Sequence, residues 1–144
     1  MIIPDVNLLL YANLDATPAH PAARRWFERL LNSDEPVGFA PAALLGFVRL
    51  ATNRRVYTQP LTVEDAVRRV HEWLARGNAV LLEQTREVVT LTLELLLEAG
   101  AAGNLTTDAQ LAAHALVQRA TLASADGDFG RFPRVKCVNP LRSA

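Results

Sequence analysis

The fold of this chain is constrained most strongly by an alternation of short apolar segments with longer segments of helical periodicity. The short segments are predicted to be buried strands, at residues 2–3, 37–39, 79–82, 121–123 and 135–138. Helices are predicted from residue 6 onward and at about residues 18–31, 42–51, 62–76, 85–99 and 108–119. Parallel strands need such helical crossovers. The pattern therefore predicts an α/β fold, a three-layer α/β/α sandwich with a central parallel sheet of about five strands.

Length and composition narrow the class of protein further. No Pro- or Gly-rich linker divides the 144 residues, so we predict a single domain over residues 1–144. The formal net charge is zero, so any contact with nucleic acid must come from a local patch. Cys137 is the only cysteine, which excludes an internal disulfide and favours a reducing, cytoplasmic location. The apolar segments are too short or too charged to span a membrane.

Aspartates occur where the strands of the predicted sheet end. Asp5 follows the first strand and Asp126 follows the fourth, and ligands bind at this edge of open parallel sheets. Asp108 is predicted to open the helix before the fourth strand, which places that helix N-terminus at the same edge. The topology therefore predicts that the three acids converge. Each also has an ordinary alternative explanation, as an N-cap at Asp5, a partner of the helix dipole at Asp108, or a turn residue at Asp128.

A cluster of carboxylates favours metal-dependent hydrolysis. Mutual repulsion should raise at least one pKa in the metal-free protein, and a bound cation would relieve that repulsion. Ligands that are all oxygen atoms select Mg²⁺ or Mn²⁺, and the chemistry typical of such sites is phosphodiester hydrolysis. The sequence has no phosphate-binding or dinucleotide-binding glycine motif and no nucleophile elbow. The three histidines lack metal-binding spacing, and His114 is predicted to be a packed residue.

The chain resembles PIN-domain proteins, and in particular VapC-like toxins of bacterial toxin–antitoxin pairs. The resemblance covers nearly the whole chain and rests on four ordered motifs: Pro4-Asp5-Val6-Asn7, Arg49-Leu50-Ala51-Thr52-Asn53, Gly103-Asn104-Leu105-Thr106-Thr107-Asp108 and Ser124-Ala125-Asp126-Gly127-Asp128-Phe129. It implies a Mg²⁺- or Mn²⁺-dependent endoribonuclease that acts as a toxin, is usually a homodimer and is inhibited by a cognate antitoxin protein.

The resemblance also implies roles for individual residues. It assigns metal binding to Asp5, Asp108 and Asp126, a supporting catalytic role to Asp128, and orienting roles to Asn7 and Asn104. Separately, Arg54 and Arg55 follow the third helix and are candidates to bind RNA phosphate. A solvated loop with no role in binding explains these two residues equally well.

One departure from the family pattern concerns the third helix. Members of the family commonly carry a glutamate in the stretch that here contains Gly46, and this chain has no acid between Pro36 and Leu61. A missing carboxylate would weaken metal binding. It leaves open an alternative function, a catalytically weak PIN-fold module that retains binding of antitoxin or RNA.

The second and third helices bear on assembly. Residues 18–31 and 41–51 contain more apolar residues than a small domain needs to cover its sheet. We therefore expect an exposed apolar groove there, a homodimer, and an antitoxin segment that binds in the groove as a helix.

Overall fold

The computed structural model describes residues 1–142, apart from the side chain of Asp128. Within these residues, five parallel strands form one sheet in the order β3-β2-β1-β4-β5. The strands are β1 (Ile2–Pro4), β2 (Val37–Phe39), β3 (Ala79–Leu81), β4 (Thr121–Ala123) and β5 (Cys137–Val138). The predicted fold class is confirmed.

Six α-helices cover the sheet within the described part of the chain. They are α1 (Val6–Asn13), α2 (His20–Leu31), α3 (Pro41–Ala51), α4 (Val63–Leu74), α5 (Arg86–Ala99) and α6 (Leu105–Gln118), and a 3₁₀ helix follows β4 at Gly127–Arg131. Right-handed crossovers place α1 to α4 on one face of the sheet and α5 with α6 on the other. The packing agrees, since α2 and α3 contact α1, α4 contacts α3, and α5 lies against α6.

Local capping explains most helix boundaries. The hydroxyl of Thr62 accepts a hydrogen bond from the backbone N–H of Asp65 at 3.1 Å, and the Thr85 hydroxyl accepts one from Val88 at 3.2 Å. These two threonines are therefore N-caps, which stabilise the first turns of α4 and α5. Gly100 ends α5 in the left-handed conformation, with a φ of 71°.

Two predicted boundaries were wrong. Helix α6 begins at Leu105, three residues before the predicted start at Asp108, because the N–H groups of Leu105 and Thr106 already bond to the carbonyls of Ala102 and Gly103. Asp108 therefore lies within the first helical turn and does not open the helix. Strand β5 is shorter than predicted, because the N–H of Val135 bonds back to the carbonyl of Phe132 in a turn.

Trp73 of α4 is the centre of the largest aromatic cluster among the described residues. Its side chain is 5% exposed, and its ring centroid lies 5.2 Å from that of Phe27, 6.1 Å from Phe39 and 4.9 Å from Phe47. These rings belong to α2, β2 and α3, so one buried side chain joins three helices and the sheet. Trp73 is thus a core residue.

The exposed apolar surface does not lie where the sequence placed it. Among the described residues, α2 exposes no large hydrophobic side chain and α3 exposes only Leu45. Both helices instead pack against α1, and their rings Phe27 and Phe47 contact Trp73 of α4. A stripe of exposed apolar residues runs along α5, at Val89, Leu93 and Leu97. None of the described helices combines the length and the apolar character that crossing a membrane requires.

Removing a ring from the aromatic cluster should destabilise the fold. Phe47 is fully buried, so Phe47→Ala leaves a cavity and should lower the free energy of unfolding by about 3–5 kcal/mol. Urea denaturation followed by tryptophan fluorescence measures this change. The matched control is Val56→Ala, which truncates an exposed side chain and should change the free energy by less than about 0.5 kcal/mol. A similar loss in both variants would contradict the proposed core.

Candidate active site

The candidate site is a cleft at the carboxyl ends of β1 and β4. The strand order reverses between these two neighbouring strands, and open α/β sheets bind ligands at such a switch point. The cleft has a volume of about 510 Å³. Its lining includes Asp5, Asn7, Gly46, Arg49, Asp108 and Asp126.

Asp5 is fixed at the junction of β1 and α1. Its backbone N–H donates to the carbonyl of Ala123 at 2.8 Å, which extends the β1–β4 pairing by one residue. One carboxylate oxygen accepts from the N–H of Val6 at 2.7 Å, and the other accepts from the hydroxyl of Ser124 at 2.7 Å. Asp5 is the N-cap of α1. It therefore has the capping role that the sequence allowed and also lines the cleft.

Ser124 is the centre of the hydrogen-bond network in the cleft. Besides donating to Asp5, its hydroxyl oxygen accepts from the side-chain amide of Asn7 at 3.3 Å and from the N–H of Asp126 at 2.9 Å. Asn7 also accepts from the N–H of Ala125 at 3.3 Å. Asn7 thus makes two bonds to the segment that follows β4, and its predicted orienting role stays a prediction. Sequence analysis gave Ser124 no role, although its position directly after β4 opposite Asp5 is the signal that could have found it.

The structure brings Asp5, Asp108 and Asp126 to one cleft from three separate elements. Asp108 comes from the first turn of α6 and is half-buried, whereas Asp126 is exposed in the loop after β4. Within the described residues, no three His, Cys, Asp or Glu side chains form a group that could hold a metal ion. Metal binding by these aspartates therefore stays a prediction.

Other predicted site residues lie outside the cleft lining. Asn104 is exposed at the start of α6, and Arg54 and Arg55 are exposed in the turn after α3. The side chain of Asp128 lies outside the described residues. Arg49 lines the cleft although sequence analysis assigned it no role. The signal for it was its position as the one charged residue in an apolar helix.

Gly46 allows α3 to approach the start of α1. A Cβ atom at position 46 would lie 3.1 Å from Cγ2 of Val6, the residue that follows Asp5. Such a contact is tight, so Val6 would have to move by a few tenths of an ångström. The glycine at the position of the expected glutamate therefore allows a close contact between α3 and the Val6 side chain, next to Asp5.

Comparisons with known proteins identify the family. A family model described as the PIN domain matches residues 2–135. The chain belongs to the PIN-domain family. It is similar to the protein named Ribonuclease VapC33 of Mycobacterium tuberculosis, with 43% identity over 142 residues, covering 99% of each chain. The expected resemblance to VapC-like PIN proteins is confirmed.

Solved structures agree with this PIN fold. VapC20 of Mycobacterium tuberculosis, described as a sarcin–ricin loop cleaving toxin, matches with a TM-score of 0.70 and 17% identity, over 90% of this chain and 93% of that one. A chain of VapBC2 from Rickettsia felis, solved bound to a DNA fragment from its promoter, matches with a TM-score of 0.68 and 19% identity, over 96% and 98% of the two chains. At these identities the likeness supports the fold alone.

Burial dominates the electrostatics of the PIN-domain cleft. The pKa of Asp5 is raised above 3.8, first because burial disfavours the charged form, and the hydrogen bonds from Ser124 and Val6 oppose this effect. The nearby charge of Asp126 raises the pKa only as the smallest cause. The expected increase is present, but repulsion between carboxylates is not its main origin.

His114 is a packed residue, as predicted. It is 1% exposed, its Nε2 lies 3.0 Å from the side-chain oxygen of Gln84, and burial lowers its pKa. It faces this amide partner and has no place in the lining of the acidic cleft.

The raised pKa of Asp5 predicts a pH dependence of stability in metal-free protein. The folded state holds the Asp5 proton more tightly than the unfolded state, whose pKa is near 3.8, so stability is lowest above the folded pKa. It should rise as the pH falls through the folded pKa, and this gain should be complete below 3.8. With EDTA present, the melting temperature of the wild type relative to Asp5→Asn should therefore increase from about pH 7 to about pH 4. An equal difference at both pH values would contradict this assignment.

Proposed function

We propose that this PIN domain is a metal-dependent endoribonuclease and the toxin of a toxin–antitoxin pair. The observation that carries the proposal is the convergence of Asp5, Asp108 and Asp126 on one cleft at the carboxyl ends of β1 and β4. The name of the 43% identical relative, Ribonuclease VapC33, supports RNA as the substrate. Single-stranded or loop RNA is the expected form, because its bases and backbone are accessible to a cleft.

The side chains of the cleft fit Mg²⁺ or Mn²⁺. All three acids offer carboxylate oxygens, the ligand type that these ions prefer. Mg²⁺ commonly binds through one or two carboxylates, and water and substrate phosphate complete its shell, so three clustered acids are not required. Burial raises the pKa of Asp5, and a cation nearby would lower it again, because an opposite charge favours the carboxylate. When bound, the ion would activate a water molecule and stabilise the leaving oxygen.

The protein's own groups orient the carboxylates for this role. Each oxygen of Asp5 already accepts one hydrogen bond, from Val6 or from Ser124, and each has a second lone pair for another partner. These two bonds fix the plane of the carboxylate. Ser124 also bonds to the N–H of Asp126, so one hydroxyl sets the relative position of two of the three acids.

Removing a carboxylate from the cleft should abolish most RNA cleavage. With Mg²⁺ or Mn²⁺, Asp108→Asn should lower the cleavage rate by on the order of 100-fold or more, because it removes a charged group that holds the cation or moves a proton. Gel analysis of a labelled single-stranded RNA measures the rate, and EDTA should stop the wild type. Asp34→Asn is the matched control, since Asp34 is exposed outside the cleft. Undiminished cleavage by Asp108→Asn, or in EDTA, would refute the proposal.

A cognate antitoxin is the protein partner that we propose. The support comes from the solved neighbours: VapBC2 of Rickettsia felis is a complex that also binds promoter DNA, and its matching chain aligns with 96% of this one. A small reading frame beside the gene that encodes a DNA-binding protein would identify the antitoxin.

A homodimer formed through α5 is the second assembly that we propose. Val89, Leu93 and Leu97 are spaced by four residues and are between 42% and 83% exposed, so they form one continuous apolar stripe. The opposite side of α5 packs on α6, which leaves the stripe uncovered. An apolar stripe of this kind marks a protein contact, and a second copy would cover it with an identical stripe.

Charge on the α5 stripe should dissociate the dimer. The double variant Leu93→Glu and Leu97→Glu buries two unpaired carboxylates in the interface, so it should be monomeric at micromolar concentration in light scattering. Val63→Glu is the matched control, because Val63 is also exposed but lies at the start of α4, where an acid is tolerated. A monomeric wild type would refute the dimer. Dissociation by Val63→Glu alone would place the interface elsewhere.

A further inference from the structure

Arg49 stands out among the residues that line the cleft. It is exposed on α3, and it is the only charged residue of that helix. Within the described part of the chain it has no hydrogen bond or ion pair, although three carboxylates line the same cleft. The exposed guanidinium is therefore accessible to a ligand that enters the cleft.

The position of Arg49 on α3 is set by the helix. Ala42, Leu45, Gly46 and Arg49 all line the cleft, and their spacing of three or four residues puts them on one face. The buried residues Ala43, Leu44 and Phe47 anchor the opposite face of α3 in the core. Arg49 is therefore presented to the cleft from a rigid element and not from a loop.

The charges of the cleft indicate what Arg49 binds. Its described lining contains three aspartates and one cationic side chain, Arg49. An RNA backbone carries one negative charge at each phosphate, so the aspartates alone would repel it. The planar guanidinium has five N–H donors and matches two phosphate oxygens at once. Arg49 offers the positive charge that admits a phosphate to this acidic cleft.

We propose that Arg49 binds a backbone phosphate of the RNA substrate inside the cleft. This inference rests on the proposed ribonuclease function and adds a specific contact to it. It separates Arg49 from Arg54 and Arg55, which are exposed after α3 and do not line the cleft. The contact reads the backbone and not the base, so it should act equally on RNAs of different sequence.

RNA binding without cleavage tests the contact directly. In an Asp108→Asn background with EDTA, fluorescence anisotropy gives the Kd of a labelled single-stranded RNA between about 50 and 200 mM salt. Arg49→Ala should weaken binding about tenfold and lower the slope of log Kd against log salt by about 0.7, because one fewer phosphate is neutralised. Arg49→Lys should keep the slope but bind more weakly than the parent, since it keeps the charge and loses the planar fork.

A second arginine, Arg25, provides the control variant. Arg25 is exposed on α2 outside the cleft, so Arg25→Ala should change neither the Kd nor the slope. Equal binding by Arg49→Ala and its parent would overturn the inference. An equal loss in Arg25→Ala, or no RNA binding by the parent, would also overturn it.

Cleavage by the otherwise wild-type chain separates this inference from the proposed function. If cleavage depends on Asp108 but is unchanged by Arg49→Ala, the inference fails and the ribonuclease function stands. If the wild type does not cleave RNA but binds it through Arg49, the ribonuclease proposal fails and the phosphate contact stands.

Discussion

The pairing of β1 with β4 is the constraint on which the site depends. The two strands are 119 residues apart between Ile2 and Thr121, and their register places Pro4 beside Ala123. That register brings Asp5 and Ser124 together, one residue beyond each strand, and allows the 2.7 Å hydrogen bond between their side chains. A slip of one residue would turn these side chains to opposite faces of the sheet and remove the bond. The apolar side chains of β1 and β4 therefore fix the chemistry of the cleft as well as the core.

Asp5 has a structural role at the same atoms for which we propose a functional one. It caps α1, extends the pairing of β1 with β4 through its backbone N–H, and presents a carboxylate to the cleft. Burial makes its charged form unfavourable, and the hydrogen bonds from Ser124 and Val6 recover only part of that cost. The raised pKa means that the charged form of this carboxylate lowers the stability of the folded state at neutral pH, so stability alone does not explain Asp5. Carboxylates with a pKa raised by burial are typical of sites that bind a cation or a substrate.

The sequence predicted the fold and the convergence of the three aspartates. It did not predict the individual side-chain contacts in the cleft. Periodicity located the five strands and six α-helices of the described residues, because β2 and β4 are short apolar runs between longer helical patterns, but it did not predict the 3₁₀ helix at Gly127–Arg131. Topology alone then predicted that Asp5, Asp108 and Asp126 share a cleft. The position of Ser124 directly after β4 was a usable signal that the sequence analysis did not take up. The exposed stripe of α5 could not be predicted, because it depends on which side of the helix faces a neighbour in three dimensions.

Gly46 in α3 affects packing as well as the number of carboxylates in the cleft. A carboxylate introduced at position 46 would bring a Cβ within 3.1 Å of Val6 Cγ2, so the Val6 side chain would have to move while the charge of the cleft changed. Leu45 lies on the same cleft wall, is 69% exposed and has a Cβ already. An acid at position 45 therefore adds the charge without that contact and isolates its electrostatic effect. Since Arg49 lies on the same face one turn away, an acid at either position would also place a negative charge next to the Arg49 guanidinium.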